Sequence, residues 1–243
     1  MPELRIARHG DVAELVIDRP EKRNAMSYEM WESLPALAAE VDADESVNVL
    51  VVRGAGPHFC AGADISEFHA RRATADAARA YGKRVENAAH ALTEMRKPSI
   101  AMIQGYCIGG GCELALACDL RFADTTAQFA ITPAKLGIVY GFTSTRQLVG
   151  VVGPAFAKYL LFSANRITAE DALRVRLIDG LVEPDALQKA TTDLARTISA
   201  RSQVSVRGSK RLIQKIMAGE VEPDSEATEL PIDAVASDDY REG

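Results

Sequence analysis

The amino-acid sequence predicts an α/β protein that becomes all-helical towards its C-terminus. Three observations predict it. Short runs rich in Val, Ile and Leu end at Gly or Pro, as strands do. Between them lie stretches with apolar residues every three or four positions, as amphipathic helices require. Beyond about Pro154 only the helical pattern continues. Strands that alternate with helices define the α/β class.

Taken in order, residues 12–17 read as a strand closed by Asp18-Arg19-Pro20. Ser27 opens a helical pattern through Met30, Leu34, Leu37 and Val41. Residues 47–52 are a buried-type strand ended by Gly54-Ala55-Gly56-Pro57. Residues 66–95 read as one long helix, stopped before Pro98. Residues 99–103 are a strand running into Gly105, and a helix starts inside Gly109-Gly110-Gly111. Residues 120–123 and 128–131 read as further strands, and 133–154 as a mixture of loop and helix. Helices alone are then expected over 155–162, 168–174, 185–200 and 202–217.

The 243 residues fit one large domain, or a core with a small appendage, and can bury a core without disulfide or metal staples. A hydrophobic content of 47% with 26% charged residues argues against disorder or a coiled coil. The net charge of -6 lowers the rank of a nucleic-acid binder, and an anionic ligand would need local basic residues. Cys60, Cys107, Cys112 and Cys118 lack the paired short spacings of a zinc site. The start Met1-Pro2-Glu3-Leu4 is not that of a signal peptide, so free thiols in the cytoplasm are expected. No apolar run approaches the ~20 residues that span a bilayer, and no membrane partner is expected.

Two strand exits carry small residues: Phe59-Cys60-Ala61-Gly62-Ala63-Asp64-Ile65, and Gly105 through Gly109-Gly110-Gly111 to Cys112-Glu113. Glycine lets backbone or ligand approach closely, and a helix starting there presents unpaired N–H groups. Such turns either pack helices on strands or place two N–H groups on one carbonyl oxygen as an oxyanion hole. Neither segment has the spacing of a phosphate loop or of a dinucleotide fingerprint. Glu113 sits in the first turn of a helix that is apolar nearly all round. It reads either as a partner of the helix dipole or as a buried, functional acid.

Together these segments resemble the crotonase (enoyl-CoA hydratase/isomerase) superfamily. Arg19-Pro20 with Asn24-Ala25 is similar to the family's R-P-x-x-x-N-A turn, and the two glycine-rich segments to its two main motifs. Leu136-Gly137-Ile138, Ile167 to Ala172 and Asp179-Gly180-Leu181-Val182 resemble later landmarks, in the same order. The resemblance implies a spiral of ββα units over residues 1–190. It implies a helical region over 191–243 that builds trimers, often dimers of trimers. It also implies acyl-coenzyme A substrates, with no separate cofactor and no metal. The N–H groups of Ala63 and Gly110 would form the oxyanion hole. Lys22, Arg23, Ala25, Ala61, Gly62, Asp64 and Ile65 would hold coenzyme A, and Glu113 would be the acid–base residue.

The family's second hydratase glutamate falls at Pro133, which transfers no proton. The run Phe129-x-Ile131-Thr132-Pro133-x-x-Leu136-Gly137-x-x-Tyr140 is similar to the methylmalonyl-CoA decarboxylase branch. There a glutamate at Glu113 is joined by a tyrosine at Tyr140, which could hold the departing carboxylate or reprotonate the enolate; Tyr140 also reads as a packed loop aromatic. That branch carries histidine where this chain has Ala63. The expected activity is hydration or isomerisation of an enoyl-CoA. The alternatives are decarboxylation of a malonyl-type thioester, or acyl-CoA binding with little catalysis.

The other polar landmarks read as structural. His58 and His69 are expected at the surface or in a lid, and His9 and His90 exposed. Arg71-Arg72 reads as a solvated pair, Asp64 and Asp119 as partners of turns and helix ends, and Cys112 as packing. The C-terminal Ser237 to Gly243 resembles a family segment that leads into one more helix, so the chain is expected to lack that element.

Overall fold

A computed structural model describes residues 3–242. In chain order it comprises β1 (Leu4–His9), β2 (Val12–Ile17), α1 (Tyr28–Ala43), β3 (Val49–Gly54), α2 (Phe68–Arg71), α3 (Ala75–Thr93), β4 (Ser99–Ile103) and β5 (Tyr106–Ile108). Then come α4 (Gly110–Ala117), β6 (Leu120–Asp124), β7 (Gln128–Ala130), α5 (Phe142–Ser163), β8 (Ile167–Thr168), α6 (Ala169–Arg174) and β9 (Gly180–Val182). The helices α7 (Leu187–Ser199), α8 (Gln203–Ala218), α9 (Ser225–Ala236) and α10 (Asp238–Glu242) complete it.

The strands form two sheets. The larger runs β1-β2-β3-β4-β6-β9 and the smaller β5-β7-β8. Only the β1–β2 pair of the larger sheet is antiparallel. Every residue of β2 and of β4 is buried, which explains their near-continuous apolar runs: a parallel strand is covered on both faces. The main core lies on one face. On the other, Leu187 and Ala195 of α7 pack on Val12, Val49, Val51, Ile100 and Met102. Residue 190, the expected end of the core, falls inside α7, so the layer covering the sheet runs on to Ser199.

Each turn of the chain adds a strand to the large sheet, then touches the small layer, then turns into a helix. The turns through β4–β5–α4 and β6–β7–α5 do so with full strands. The earlier turns contribute single bridges, Met26 to Ala63 and Cys60 to Cys107. This is the expected ββα spiral, and the small layer carries both glycine-rich segments side by side.

Three expectations need correction. Strands do not stop at Pro154, because β8 and β9 close the small and large sheets. They are two and three residues long, and pairing rather than local pattern forms them. Residues 66–95 are not one helix. After a 3-10 turn over Ile65–Glu67, α2 ends at Arg71 with Arg72 as its C-cap, and Thr74 caps α3 afresh by accepting from the Ala77 N–H. Residues 155–162 are only the second half of α5, which bends at Gly153, where φ is 74° ahead of Pro154. By contrast Ser27 does start α1, its Oγ accepting from the Met30 N–H. Among the described residues no helix is long and apolar enough to cross a membrane.

Candidate active site

The turn after β2 and the turn after β3 lock together first. Asn24 is fully buried and left-handed (φ 58°), a conformation asparagine tolerates. Its amide donates to the carbonyls of Ala55 at 2.8 Å and His58 at 2.6 Å, and its oxygen accepts from the Arg19 N–H at 3.0 Å. Arg19 pairs with Asp64 at 3.2 Å. Asp64 also accepts from the N–H and hydroxyl of Ser66, and these bonds hold its carboxyl below the usual range. The Asp64 carboxylate is therefore spent on the turn, as expected, and its backbone N–H donates to the Met26 carbonyl at 2.8 Å. Asp119 likewise serves structure, accepting from Ser99 and pairing with Lys210 at 2.8 Å.

Beside this turn the first glycine-rich segment meets the start of α4. Gly62 has φ 97°, and a Cβ there would lie 2.7 Å from the Ile108 carbonyl oxygen and 3.2 Å from the Gly110 nitrogen. A Cβ on Gly111 would lie 2.2 Å from the Cys60 carbonyl oxygen. Both positions need glycine because two backbones touch. A Cβ on Gly110 would lie 3.4 Å from the Ala63 nitrogen, so these two N–H groups are neighbours. The Ala63 N–H has no backbone partner among the described residues. Gly110 opens α4, where an N–H has no intrahelical acceptor. Both residues line one cavity of about 500 Å³. Two adjacent free donors on a cavity wall can take one carbonyl oxygen and stabilise negative charge developing there.

Glu113 lies one helical turn further on, 7% exposed, and lines the same cavity. Burial raises its carboxyl pKa most. A hydrogen bond from Ser144 opposes that, the charge of Glu86 adds to it and the charge of Arg72 opposes it. Tyr140 is half-buried with its hydroxyl end inward, donating to the Gly109 carbonyl at 3.5 Å. Burial first, then the Glu113 charge, push that hydroxyl well above its ordinary value, so it stays protonated. Pro133 lines the cavity in a 3-10 turn over Pro133–Leu136.

Of the residues expected to hold coenzyme A, Ala61, Gly62 and the exposed Ile65 line the cavity. Lys22, Arg23, Ala25 and Asp64 do not line it; Lys22 and Arg23 are exposed and Ala25 is half-buried in the same turn. The Arg23 carbonyl accepts from the Ala61 N–H at 3.0 Å, and its guanidinium lies 5.4 Å from the Tyr106 ring centroid. His58 stacks on Tyr106 and accepts from its N–H through Nδ1, while burial and Arg23 lower its pKa. His9, His69 and His90 are exposed. All four cysteines are free and buried, and burial pushes the Cys60 and Cys118 thiols up to about 12.

Sequence reasoning missed several residues of the wall. Ser144, Trp31, Tyr81 and Glu86 line the cavity, as does Arg72. Arg71 and Arg72 are not a solvated pair: Arg71 reaches outward to Glu29, whereas Arg72 turns inward over Phe68 and Tyr81. Successive residues on a helix diverge by about 100°, which would have separated the two had α2 been recognised.

A ββα spiral with paired free N–H groups beside a buried acid defines a protein of the crotonase type. The enoyl-CoA hydratase/isomerase family model matches residues 7–241, and the chain belongs to that family. It is 34% identical over 218 residues to the short-chain-enoyl-CoA hydratase of Clostridium acetobutylicum, covering 89% of this chain and 83% of that one. Identity to the crotonyl-CoA hydratase of Syntrophomonas wolfei is 34% over 243 residues, covering 98% and 92%. The crystal structure of an enoyl-CoA hydratase/isomerase family protein from Hyphomonas neptunium superposes with a TM-score of 0.97 at 42% identity, covering 100% and 93%.

Proposed function

We propose that this chain is an acyl-CoA enzyme of the enoyl-CoA hydratase/isomerase type, in which Glu113 moves protons on a thioester enolate. The observation that carries the reading is the pair of free N–H groups, Ala63 and Gly110, on the wall that also holds the buried Glu113. The thioester oxygen takes both donors, and the charge that develops when a Cα–H proton leaves is stabilised there. A raised carboxyl pKa suits a group that must take a proton and return it. Pro133 offers no second acid, and one carboxylate suffices to carry a proton between carbons. Isomerisation is therefore the favoured half of the activity. Lys22, Arg23, Ala25, Ala61, Gly62, Asp64 and Ile65 form the coenzyme A rim, with Asp64 holding the turn through Arg19 and Ser66. No further cofactor is needed for these steps.

The test is turnover of crotonyl-CoA, read as loss of enoyl absorbance, and of a 3-enoyl-CoA, read as its gain. Glu113→Gln is expected to lower kcat by about 10²-fold or more while still binding acyl-CoA. Wild-type turnover in that variant would remove Glu113 from the mechanism.

The place of Tyr140, on the cavity wall with Glu113, favours a second reading, decarboxylation of a malonyl-type thioester. A protonated hydroxyl next to the Glu113 charge can donate to a departing carboxylate or return a proton to the enolate. Release of CO2 from methylmalonyl-CoA by the wild type, lost in Tyr140→Phe, would establish it. Ile213, Ile216 and Met217 form an exposed apolar stripe on α8, with Ile232 and Val235 exposed on α9, and these support a homotrimer or a dimer of trimers.

A further inference from the structure

Arg72 is a cation of the cavity wall with no side-chain partner among the described residues. Its guanidinium carbon lies 4.6 Å from the ring centroids of both Phe68 and Tyr81, so two aromatic rings hold it in place. Its Nε is buried without a hydrogen-bond partner. Among the described residues no carboxylate pairs with it, whereas Arg79 pairs with Asp76 and Lys83 with Glu86. Its charge acts on the reacting end of the cavity, since it opposes the rise in the Glu113 carboxyl pKa.

The Trp31 indole N–H faces the Tyr81 hydroxyl and, as its donor, opposes the rise in the phenol pKa, so these two groups of the same wall answer each other. Buried polar groups in folded proteins are paired, by protein, water or ligand. A guanidinium can only donate. The group that satisfies Arg72 is an acceptor, and the unpaired charge makes it an anion. A planar guanidinium matches a carboxylate. An unsubstituted alkyl chain would leave the guanidinium unpaired.

We propose that the acyl pocket takes a thioester whose acyl chain carries a second, terminal carboxylate, and that Arg72 reads that carboxylate. The proposal rests on the acyl-CoA reading above and names its substrate class.

Equilibrium binding of unreactive thioesters tests it without depending on turnover. Glutaryl-CoA is compared with pentanoyl-CoA, and succinyl-CoA with butyryl-CoA, by calorimetry on wild type and Arg72→Met. Each pair shares coenzyme A and chain length, so the affinity ratio isolates the terminal carboxylate. In wild type at least one dicarboxylyl thioester is expected to bind about tenfold or more tighter than its partner, and in Arg72→Met that ratio falls towards one. Equal affinities in both wild-type pairs overturn the proposal, as does a preference that survives in Arg72→Met. A loss of affinity that is equal within each pair overturns it too, by assigning the guanidinium to the coenzyme A phosphates. Failure of all four thioesters to bind wild type is a separate result: it removes the acyl-CoA reading, and this proposal with it.

Discussion

The Ser144 hydroxyl donates a hydrogen bond to Oε1 of Glu113, joining the first turn of α5 to that of α4. The next residue back, Thr143, donates to Oε1 of Glu86 at 3.2 Å. One turn of helix thus holds two carboxylates of the cavity, one buried and one largely exposed. The two act on the Glu113 proton in opposite senses. The Ser144 bond favours the carboxylate, while the Glu86 charge disfavours it.

The pH–rate profile should report this opposition. If ionised Glu113 is the active form, activity falls on the acid side as the group protonates. Ser144→Ala should move that limb to higher pH, and Glu86→Gln to lower pH. Movement of both limbs in the same direction, or of neither, would show that Glu113 does not set the acid limb. The readout is kcat/KM for the best thioester across pH 4 to 9.

The same carboxylate should weaken the fold at neutral pH. Burial raises the Glu113 pKa in the folded state above its unfolded value. The folded state therefore binds more protons, and stability is lost as pH rises through that interval. Glu113→Gln removes the effect. Its Tm should exceed that of wild type at pH 8, with the gap closing towards pH 4. A variant that melts below wild type at pH 8 would contradict this account.

The two glycines at the paired N–H groups should separate function from folding. Gly110 has an ordinary φ, and an added Cβ meets the Trp31 ring at 3.0 Å and the Ala63 nitrogen at 3.4 Å. Gly110→Ala should fold but crowd the donors. Loss of one such donor costs about 10²–10³ in kcat elsewhere, so a fall of about tenfold or more is expected from crowding alone. Gly62→Ala meets a positive φ and a carbonyl oxygen at 2.7 Å, and should lose about 1–3 kcal/mol of stability as well. Chemical denaturation and steady-state kinetics on both variants check the contrast.

An exposed stripe at i, i+3 and i+4 on α8 should be covered by another copy. Sedimentation of the wild type is expected to give three or six chains, and Ile216→Asp a smaller species. A monomer at micromolar concentration would remove the oligomer reading.

Much of the scaffold was legible because it obeys local rules. The strand over Val12–Ile17 and the cap at Ser27 follow from pattern and side-chain chemistry alone. The glycine turns were legible because only glycine fits where backbones touch, so their composition reports a contact. What stayed hidden depends on tertiary partners. In the helix-forming run around residues 66–95 the break has one local mark, Thr74, which caps α3, but a lone threonine inside such a run does not tell a second start from a continued helix. Ser144 stands 31 residues from Glu113, and a lone serine near a helix start carries no mark of its partner. Strands of two or three residues exist only because a neighbour pairs with them.

Asn24 offers the sharpest test of how the turn supports the cavity. It is fully buried, holds a left-handed backbone, and satisfies two carbonyls and one N–H from three different residues. Alanine would leave those groups unpaired and would be strained at φ 58°. Buried groups left unpaired cost about 1–3 kcal/mol each, so Asn24→Ala should lose roughly 3 kcal/mol or more. Asn24→Asp keeps the acceptor and the left-handed preference but loses both donated bonds, and should fall between. The turn also carries the Arg23 carbonyl that fixes Ala61, so the rim should loosen with it. Acyl-CoA affinity should therefore drop in the order wild type, Asp, Ala, in step with Tm. Affinity that holds at wild-type level in a folded Asn24→Ala protein would show that the rim does not depend on this turn.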